Sequence, residues 1–355
     1  MSHSAYRYTL ELITDGGQIL ERVVADIDWD SAIESTRFTG IRRGKLPPVM
    51  TTGRSIVQPV WHPKYKPPYL SGFRMTVFGD DSDEASAEIP SSYIEELARR
   101  ASARLVERGV LKADSWFHYL VSAVPDATAL EAKPVEALPF SVEEVPQPLP
   151  LHAGCLRDLL GNGVRFGAMT AGDMPVFIPQ GVLNEASELT RQAGANETGG
   201  ILIGHLLRGP GSPEIFAEIT AQIPAKHTRA GLTQLTFTAD TWAAVQEAIT
   251  LRGQDEIHLG WWHSHSYLKE LCRDCEKRTD GTCTANASFM SVEDVALHRT
   301  CFPRAFSLAL VISDSPCSGL GWELFGWRYG MVVPRGFHIT EALRFASTSV
   351  PALSA

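Results

Sequence analysis

The N-terminal third of the chain alternates hydrophobic and polar residues over short stretches, a pattern typical of strands with one buried face. The alternation over residues 8–12 predicts such a strand, and Asp-Gly-Gly at 15–17 predicts a hairpin turn after it. Between 91 and 109, hydrophobic residues recur at helical spacing after a serine and before a glycine, so we predict a helix. With a further strand predicted over 116–124, the pattern favours a small α+β domain spanning residues 1–125.

Prolines interrupt this pattern after the first domain. They lie among acidic and small residues, at Pro125, Pro134, Pro139, Pro146, Pro148 and Pro150. A segment of this composition is extended and acts as a semi-rigid spacer. We therefore predict a linker over residues 126–172.

Longer elements, in which strands alternate with helices, follow over residues 173–340. Helical spacing of hydrophobic residues predicts helices over 182–194, 238–253 and 291–300. Short apolar runs predict strands over 174–179, 199–207, 214–223, 256–265, 306–313 and 321–329. This order predicts an α/β fold in which a mixed sheet is flanked by helices.

The composition is that of a globular protein, with 44% hydrophobic and 21% charged residues. The formal net charge of -9 argues against non-specific binding to nucleic acid, whose phosphates attract basic surfaces. No apolar run reaches the roughly 18 residues that span a bilayer, and the first residues do not have the pattern of a secretion signal. We therefore expect a cytoplasmic protein that has neither a membrane nor a nucleic acid as its partner.

Two histidines one residue apart end the predicted strand 256–265. Because strand side chains alternate in direction, His263 and His265 project to the same side. A catalytic zinc commonly takes three protein ligands, and Asp294 is the third that we predict. Ser291 and Asp294 also fit the pattern of a helix capping box, so a structural role is the alternative for Asp294.

A metal hydrolase also needs a group that accepts and returns protons. Glu197 stands just before the predicted strand 199–207, beside two glycines that allow a ligand or another backbone to approach closely. The alternative for Glu197 is a solvated surface charge.

Together these residues resemble the motif of the JAMM (JAB/MPN) zinc metalloprotease family, which is a glutamate, then His-Ser-His, then Ser-x-x-Asp. The resemblance includes the order of elements and implies a JAB/MPN-like domain. It implies that His263, His265 and Asp294 bind one catalytic Zn²⁺. It further implies that Glu197 moves a proton from the attacking water to the leaving nitrogen, and that Ser291 hydrogen-bonds the developing oxyanion.

The resemblance also implies a substrate class. Members of the family cleave isopeptide or peptide bonds after the C-terminus of ubiquitin and similar proteins, so the implied partners are a ubiquitin-like protein and its conjugates. The intact motif looks like that of proteases that accompany bacterial ubiquitin-like conjugation systems, some of which are used in antiphage defence.

Two features depart from the family pattern. Ser266 follows the second histidine, where the family usually has proline. Residues 266–290 then separate this histidine from Ser291, which is an insertion relative to the seven residues usual in the family.

The insertion contains cysteines at spacings that suggest a second metal site. Cys272 and Cys275 form a Cys-x-x-Cys pair, and Cys283 follows. In a reducing cytosol this pattern predicts a structural zinc, with Cys301 as the fourth ligand or His298 as the alternative to it. A flexible loop with free thiols and a redox disulfide are the competing interpretations.

The sequence therefore predicts a zinc-dependent isopeptidase or peptidase that processes a ubiquitin-like precursor or removes a ubiquitin-like protein from its targets. The N-terminal domain would then recognise the substrate or a partner. A small-molecule zinc amidase would use the same chemistry, and a non-catalytic MPN scaffold is a third hypothesis. Retention of every motif residue favours an enzyme over the scaffold.

Overall fold

The computed structural model describes residues 3–50, 53–65, 67–79, 83–113, 115–126, 147–194, 196–225, 237–265, 289–315 and 319–341. The chain forms two compact units. The first consists of Met1–Leu149, Pro303–Phe306 and Gly326–Val333, and the second of Pro150–Phe302, Ser307–Phe325 and Pro334–Ala355.

The first unit is built from small sheets and two helices. Its strands are β1 (His3–Ser4), β2 (Tyr6–Ile13), β3 (Ile19–Val24), β4 (Val49–Met50), β5 (Ser55–Trp61), β6 (Leu70–Phe78), β7 (Glu84–Pro90), β8 (His118–Pro125) and β9 (Gln147–Pro148). Its helices are α1 (Asp30–Arg42) and α2 (Glu95–Glu107), the latter preceded by a 3₁₀ turn at Ser91–Ile94. The strands pair in the orders β1-β5-β6-β7, β3-β2-β8 and β4-β9.

The predicted N-terminal strand and hairpin are confirmed. Tyr8, Leu10 and Leu12 on β2 are at most 4% exposed, whereas the side chains between them face the other side of the sheet. β2 pairs antiparallel with β3 across the predicted turn. The helix predicted over 91–109 is also present, although its first turn is 3₁₀.

The second unit contains one large mixed sheet and four of the described helices. The strands of this sheet are β10 (Leu151–Ala153), β11 (Gly163–Phe166), β12 (Val176–Pro179), β13 (Gly199–Arg208), β14 (Ile215–Pro224), β15 (Ile257–His265), β16 (Leu308–Ser315), β17 (Gly319–Arg328), β18 (Met331–Arg335) and β19 (Phe337–Thr340), of which the end of β17 and the start of β18 fall in the segment assigned to the first unit. Its helices are α3 (Leu156–Asn162), α4 (Gln180–Ala193), α5 (Ala239–Arg252) and α6 (Val292–Cys301).

The sheet has the strand order β11-β19-β12-β14-β13-β15-β16-β17-β18, with β10 also paired to β13. β13 is antiparallel to β14 and β15, whereas β15 is parallel to β16. The chain is thus a mixed α/β protein, as the alternation of elements predicts. Of the described helices, none combines the length and the apolar character that a bilayer crossing requires.

Part of the predicted linker, residues 126–172, forms strands and a helix in the structure. Residues 127–146 lie outside the described residues, but β10, α3 and β11 occupy much of the segment from Leu151 to Phe166. β10 pairs in parallel with the far end of β13. The frequent prolines around residue 148 conceal these elements, because they suggest an extended spacer where the chain in fact joins the sheet.

β15, which carries the two motif histidines, lies inside the sheet between β13 and β16. Every side chain from Leu259 to His265 is buried, so both faces of this part of the strand are covered. A β-bulge interrupts the pairing with β13, where Leu202 lies opposite Gly260 but Ile203 lies opposite His258. The strand therefore holds its last residues in a rigid, fully packed setting.

Gly200 on β13 gives a test of this packing. A Cβ added there would lie 2.5 Å from the carbonyl oxygen of Ile223 and 2.6 Å from Nε1 of Trp262. Because backbone and a buried indole cannot easily move away, Gly200→Ala should lower the free energy of unfolding by about 1–3 kcal/mol, measured by urea denaturation. Gly181→Ala on α4, where a Cβ meets nothing within 4 Å, is the control and should leave stability unchanged or raise it. Equal effects of the two substitutions would contradict the packing argument.

Candidate metal centre

The two histidines converge on one point at the end of β15. The Nε2 atoms of His263 and His265 are 3.0 Å apart, and the residues are 0% and 2% exposed. Ser264 points the other way, and its Oγ accepts a hydrogen bond from the Thr198 N–H at 3.0 Å. The Ser264 N–H in turn donates to the Thr198 carbonyl oxygen at 2.9 Å, which fixes the end of β15 against the chain leading into β13.

Asp294 reaches the same point from helix α6. Its Oδ2 lies 3.4 Å from Nε2 of His263 and 3.7 Å from Nε2 of His265. A capping box holds this carboxylate, because the Ser291 N–H donates to Oδ2 at 2.8 Å and the Asp294 N–H donates to the Ser291 Oγ at 3.0 Å. Capping and metal binding are thus compatible, since a carboxylate oxygen has lone pairs for both.

The separations of these three atoms fit a zinc ion. A tetrahedral zinc with ligands at about 2.0–2.1 Å places neighbouring ligand atoms about 3.3–3.4 Å apart. The observed separations of 3.0, 3.4 and 3.7 Å bracket that value. Two imidazoles and one carboxylate are also a donor set typical of catalytic zinc. Among the described residues, only these three form a group of candidate ligands close enough to hold a metal ion.

The electrostatics of the site favour the protonation states that a metal requires. Burial lowers the pKa of His263 despite the opposing effect of Asp294. Burial alone would raise the pKa of Asp294, but hydrogen bonds with the two histidines and the Ser291 N–H hold it well below its usual range. The cluster therefore combines a neutral His263 imidazole with an ionised Asp294 carboxylate, and a metal ion would take the place of the protons shared between the ring nitrogens and the carboxylate.

Glu197 lies beside this cluster. Gly199 pairs with His263, and continuing the antiparallel register by two residues places Glu197 opposite His265, on the same face of the sheet. The glutamate is only 6% exposed. Burial, and then the negative charge of Asp294, raise its pKa to about 7, which suits a group that exchanges protons near neutral pH. The alternative interpretation, a solvated surface charge, is wrong for this buried side chain.

Ser291 is the N-cap of α6, and its hydroxyl oxygen accepts the Asp294 N–H. A serine hydroxyl can accept one hydrogen bond and donate another, so the cap is compatible with donation to a substrate oxygen. The structure brings Asp294 and both histidines to one point, and Ser291 caps the helix that carries Asp294. The role of the hydroxyl in catalysis stays a prediction.

The predicted structural zinc falls largely outside the described residues, because Cys272, Cys275 and Cys283 lie in the segment 266–288. Cys301, the first choice for a fourth ligand, is the exposed last residue of α6. His298, the alternative, is fully buried, and its Nδ1 accepts a hydrogen bond from Nε1 of Trp261 at 3.0 Å. Nδ1 of His298 is therefore engaged within the core, and the choice of a fourth ligand stays a prediction.

The contact between His298 and Trp261 is a feature that the sequence analysis missed. The two residues are 37 positions apart, so no local pattern links them. The available signal was that Asp294 and His298 are four residues apart on one predicted helix, which puts both on one face. Trp261 and His263 likewise share one face of a strand.

Comparisons with known proteins do not identify a family. No family model and no curated protein matches the chain. Among solved structures, the chain is similar to the solution structure of protein DSY2949 from Desulfitobacterium hafniense, at 21% sequence identity and a TM-score of 0.32. The match covers 48% of this chain and 95% of that chain. Similarity at this level identifies neither a family nor a function.

Zinc binding by the cluster can be separated from its capping role. Asp294→Asn keeps an oxygen that can accept the Ser291 N–H but removes the charge, so it should lose one zinc per chain while the fold melts close to the wild type. Elemental analysis and thermal melting measure the two effects. Glu293→Gln, which removes an exposed neighbouring charge, is the control and should bind zinc normally. Cys272→Ser reports separately on the predicted structural zinc, and unchanged zinc content in Asp294→Asn would contradict the site.

The raised pKa of Glu197 predicts a pH-dependent stability of the metal-free protein. Because the folded chain holds this proton more tightly than the unfolded chain, the stability from Glu197 is present below about pH 4.5 and lost as the pH rises through about 7. Glu197→Gln cannot ionise, so with chelator it should be more stable than the wild type by about 1–3 kcal/mol near pH 8.

The same comparison near pH 5 should show little difference, as measured by chemical denaturation. Glu188→Gln, on the exposed face of α4, is the control and should follow the wild type at both pH values. Identical pH profiles for Glu197→Gln and the wild type would show that Glu197 ionises as in the unfolded chain.

Proposed function

We propose that this protein is a zinc-dependent isopeptidase or peptidase that cleaves after the C-terminus of a ubiquitin-like protein. The observation that carries the proposal is the convergence of His263, His265 and Asp294 within 3.7 Å of one another, next to buried Glu197. The resemblance of these residues to the JAMM motif supports the choice of reaction.

Each side chain has a task that its setting suits. His263, His265 and Asp294 would hold the metal, which when bound polarises a carbonyl and lowers the pKa of water. Glu197 would accept a proton from the attacking water and return it to the leaving nitrogen, because its carboxylate is buried beside the cluster where both atoms would lie. Ser291, fixed at the start of α6, would donate to the oxygen on which negative charge develops.

A protein substrate is favoured over a small molecule by two features of the chain. The chain forms a second compact unit besides the one that holds the cluster, and an active site for a small amide has no need of it. The insertion at 266–290 begins directly after His265 and ends directly before Ser291, so it flanks the site in sequence. Both features favour a macromolecular substrate. The ubiquitin-like identity of that macromolecule rests on the resemblance.

The proposal is tested by hydrolysis of fluorogenic C-terminal amides and isopeptide conjugates of a panel of ubiquitin-like proteins. Zinc-loaded wild type should cleave at least one of them, and Glu197→Gln should reduce kcat by about 10²–10⁴-fold because the proton acceptor is lost. Its zinc content should not fall. Glu188→Gln is the matched control and should retain full activity.

Each contrary result has a distinct meaning. Full activity in Glu197→Gln would show that another group moves the proton. Cleavage of small amides alone would favour the zinc amidase, and zinc binding without hydrolysis of any substrate would favour the scaffold.

A further inference from the structure

A buried hydrogen bond lies directly behind the metal cluster. The Nε1–H of Trp261 donates to Nδ1 of His298 at 3.0 Å, and both side chains are 0% exposed. The indole also stacks on the His263 imidazole, with ring centroids 4.6 Å apart and planes inclined by 13°. Trp261 therefore contacts a predicted ligand with one surface and helix α6 with its polar edge.

The two contacts between α6 and β15 have matching spacings. Asp294 and His298 are four residues apart on the helix, about 6.0 Å along its axis. Trp261 and His263 are two residues apart on the strand, about 6.6 Å along it. One turn of helix thus spans one repeat of the strand, so His298 meets Trp261 while Asp294 meets His263.

We propose that His298 is a positioning residue for the metal site, which fixes the register of α6 on β15 through Trp261 and so holds Asp294 against His263. This inference rests on the proposed metal site but not on the hydrolysis of any substrate. A slip of the helix by one residue would move Asp294 by about 1.5 Å and rotate it by about 100°, which would separate the ligand atoms.

The chemistry of the pair suits this role. Burial lowers the pKa of His298 to about 3, so its ring is neutral at any working pH and its Nδ1 remains an acceptor. Phe302 extends the contact, because its ring stacks on His298 and on Trp261 with centroids 5.9 Å and 6.3 Å apart. Residues that orient metal ligands in this way typically change metal affinity by about 10–100-fold when they are replaced.

The neighbouring tryptophan provides a matched control. Trp262 is also 0% exposed, and its Nε1–H donates to a buried side-chain oxygen, Oε1 of Gln222, at 3.0 Å. It follows Trp261 in the strand and therefore faces the opposite side of the sheet, away from the cluster. Trp261→Phe and Trp262→Phe thus remove the same atoms and the same kind of hydrogen bond from equally buried sites.

The test measures the Zn²⁺ affinity of the full chain by competition with a chromophoric chelator. Only the zinc that is lost in Asp294→Asn is assigned to the site. Trp261→Phe and His298→Leu should each weaken binding about tenfold or more, and the double variant should be little worse than either. His298→Asn should recover most of the affinity, because its amide oxygen can replace Nδ1 as an acceptor. Trp262→Phe should bind zinc like the wild type, although its melting temperature should fall as far as that of Trp261→Phe.

Three results would overturn the inference. Wild-type affinity in folded Trp261→Phe and His298→Leu would assign the hydrogen bond to core stability alone, and so would an equal loss in Trp262→Phe. If Trp261→Phe does not fold, the comparison of His298→Leu with His298→Asn decides the question. Absence of the Asp294-dependent zinc in the wild type would instead refute the metal site itself, and the positioning role with it.

Discussion

A partly buried negative charge is the constraint on which the rest of this site depends. The Asp294 side chain is 18% exposed and lies beside the buried Glu197. Two ionised carboxylates in such a place repel each other, and the raised pKa of Glu197 expresses that repulsion together with its burial. A divalent cation between Asp294 and the two imidazoles would remove the conflict, because it supplies the largest local charge and favours ionised neighbours. The charges of the cluster are thus compatible with a bound metal.

The fold provides this arrangement by surrounding one strand completely. β15 pairs on both edges and is covered on both faces, so His263 and His265 have little freedom to rotate away from each other. Rigid placement matters because imidazole ligands must present Nε2 along fixed directions. The cost of such burial is that every polar atom on the strand needs a partner. Ser264 finds its partner in Thr198, and Trp262 finds its partner in Gln222.

Local patterns predicted much of this structure, because they depend only on neighbouring residues. Alternation on β2, the helical spacing of α4 and the Ser291–Asp294 cap each follow from backbone period or from capping chemistry. The docking of α6 on β15 could not be derived in the same way, since the Trp261–His298 hydrogen bond joins positions 37 apart. The same holds for the bulge beside Gly260 and for β10, whose parallel pairing with β13 depends on tertiary context that a proline-rich sequence does not reveal.

The length of the segment between the histidines and the helix need not disturb the site. Residues 266–290 separate His265 from Ser291. If the length of this connection determined where α6 lies, a longer connection would move Asp294 away from the histidines. Here α6 has its own contacts with β15, through Asp294 and through His298, so its position is fixed by packing. When packing fixes the helix, an insertion adds only the free-energy cost of closing a longer loop, which increases by about 0.6 kcal/mol for each doubling of length. The register of the helix therefore makes this connection a place where sequence can be added without moving Asp294 away from the two histidines.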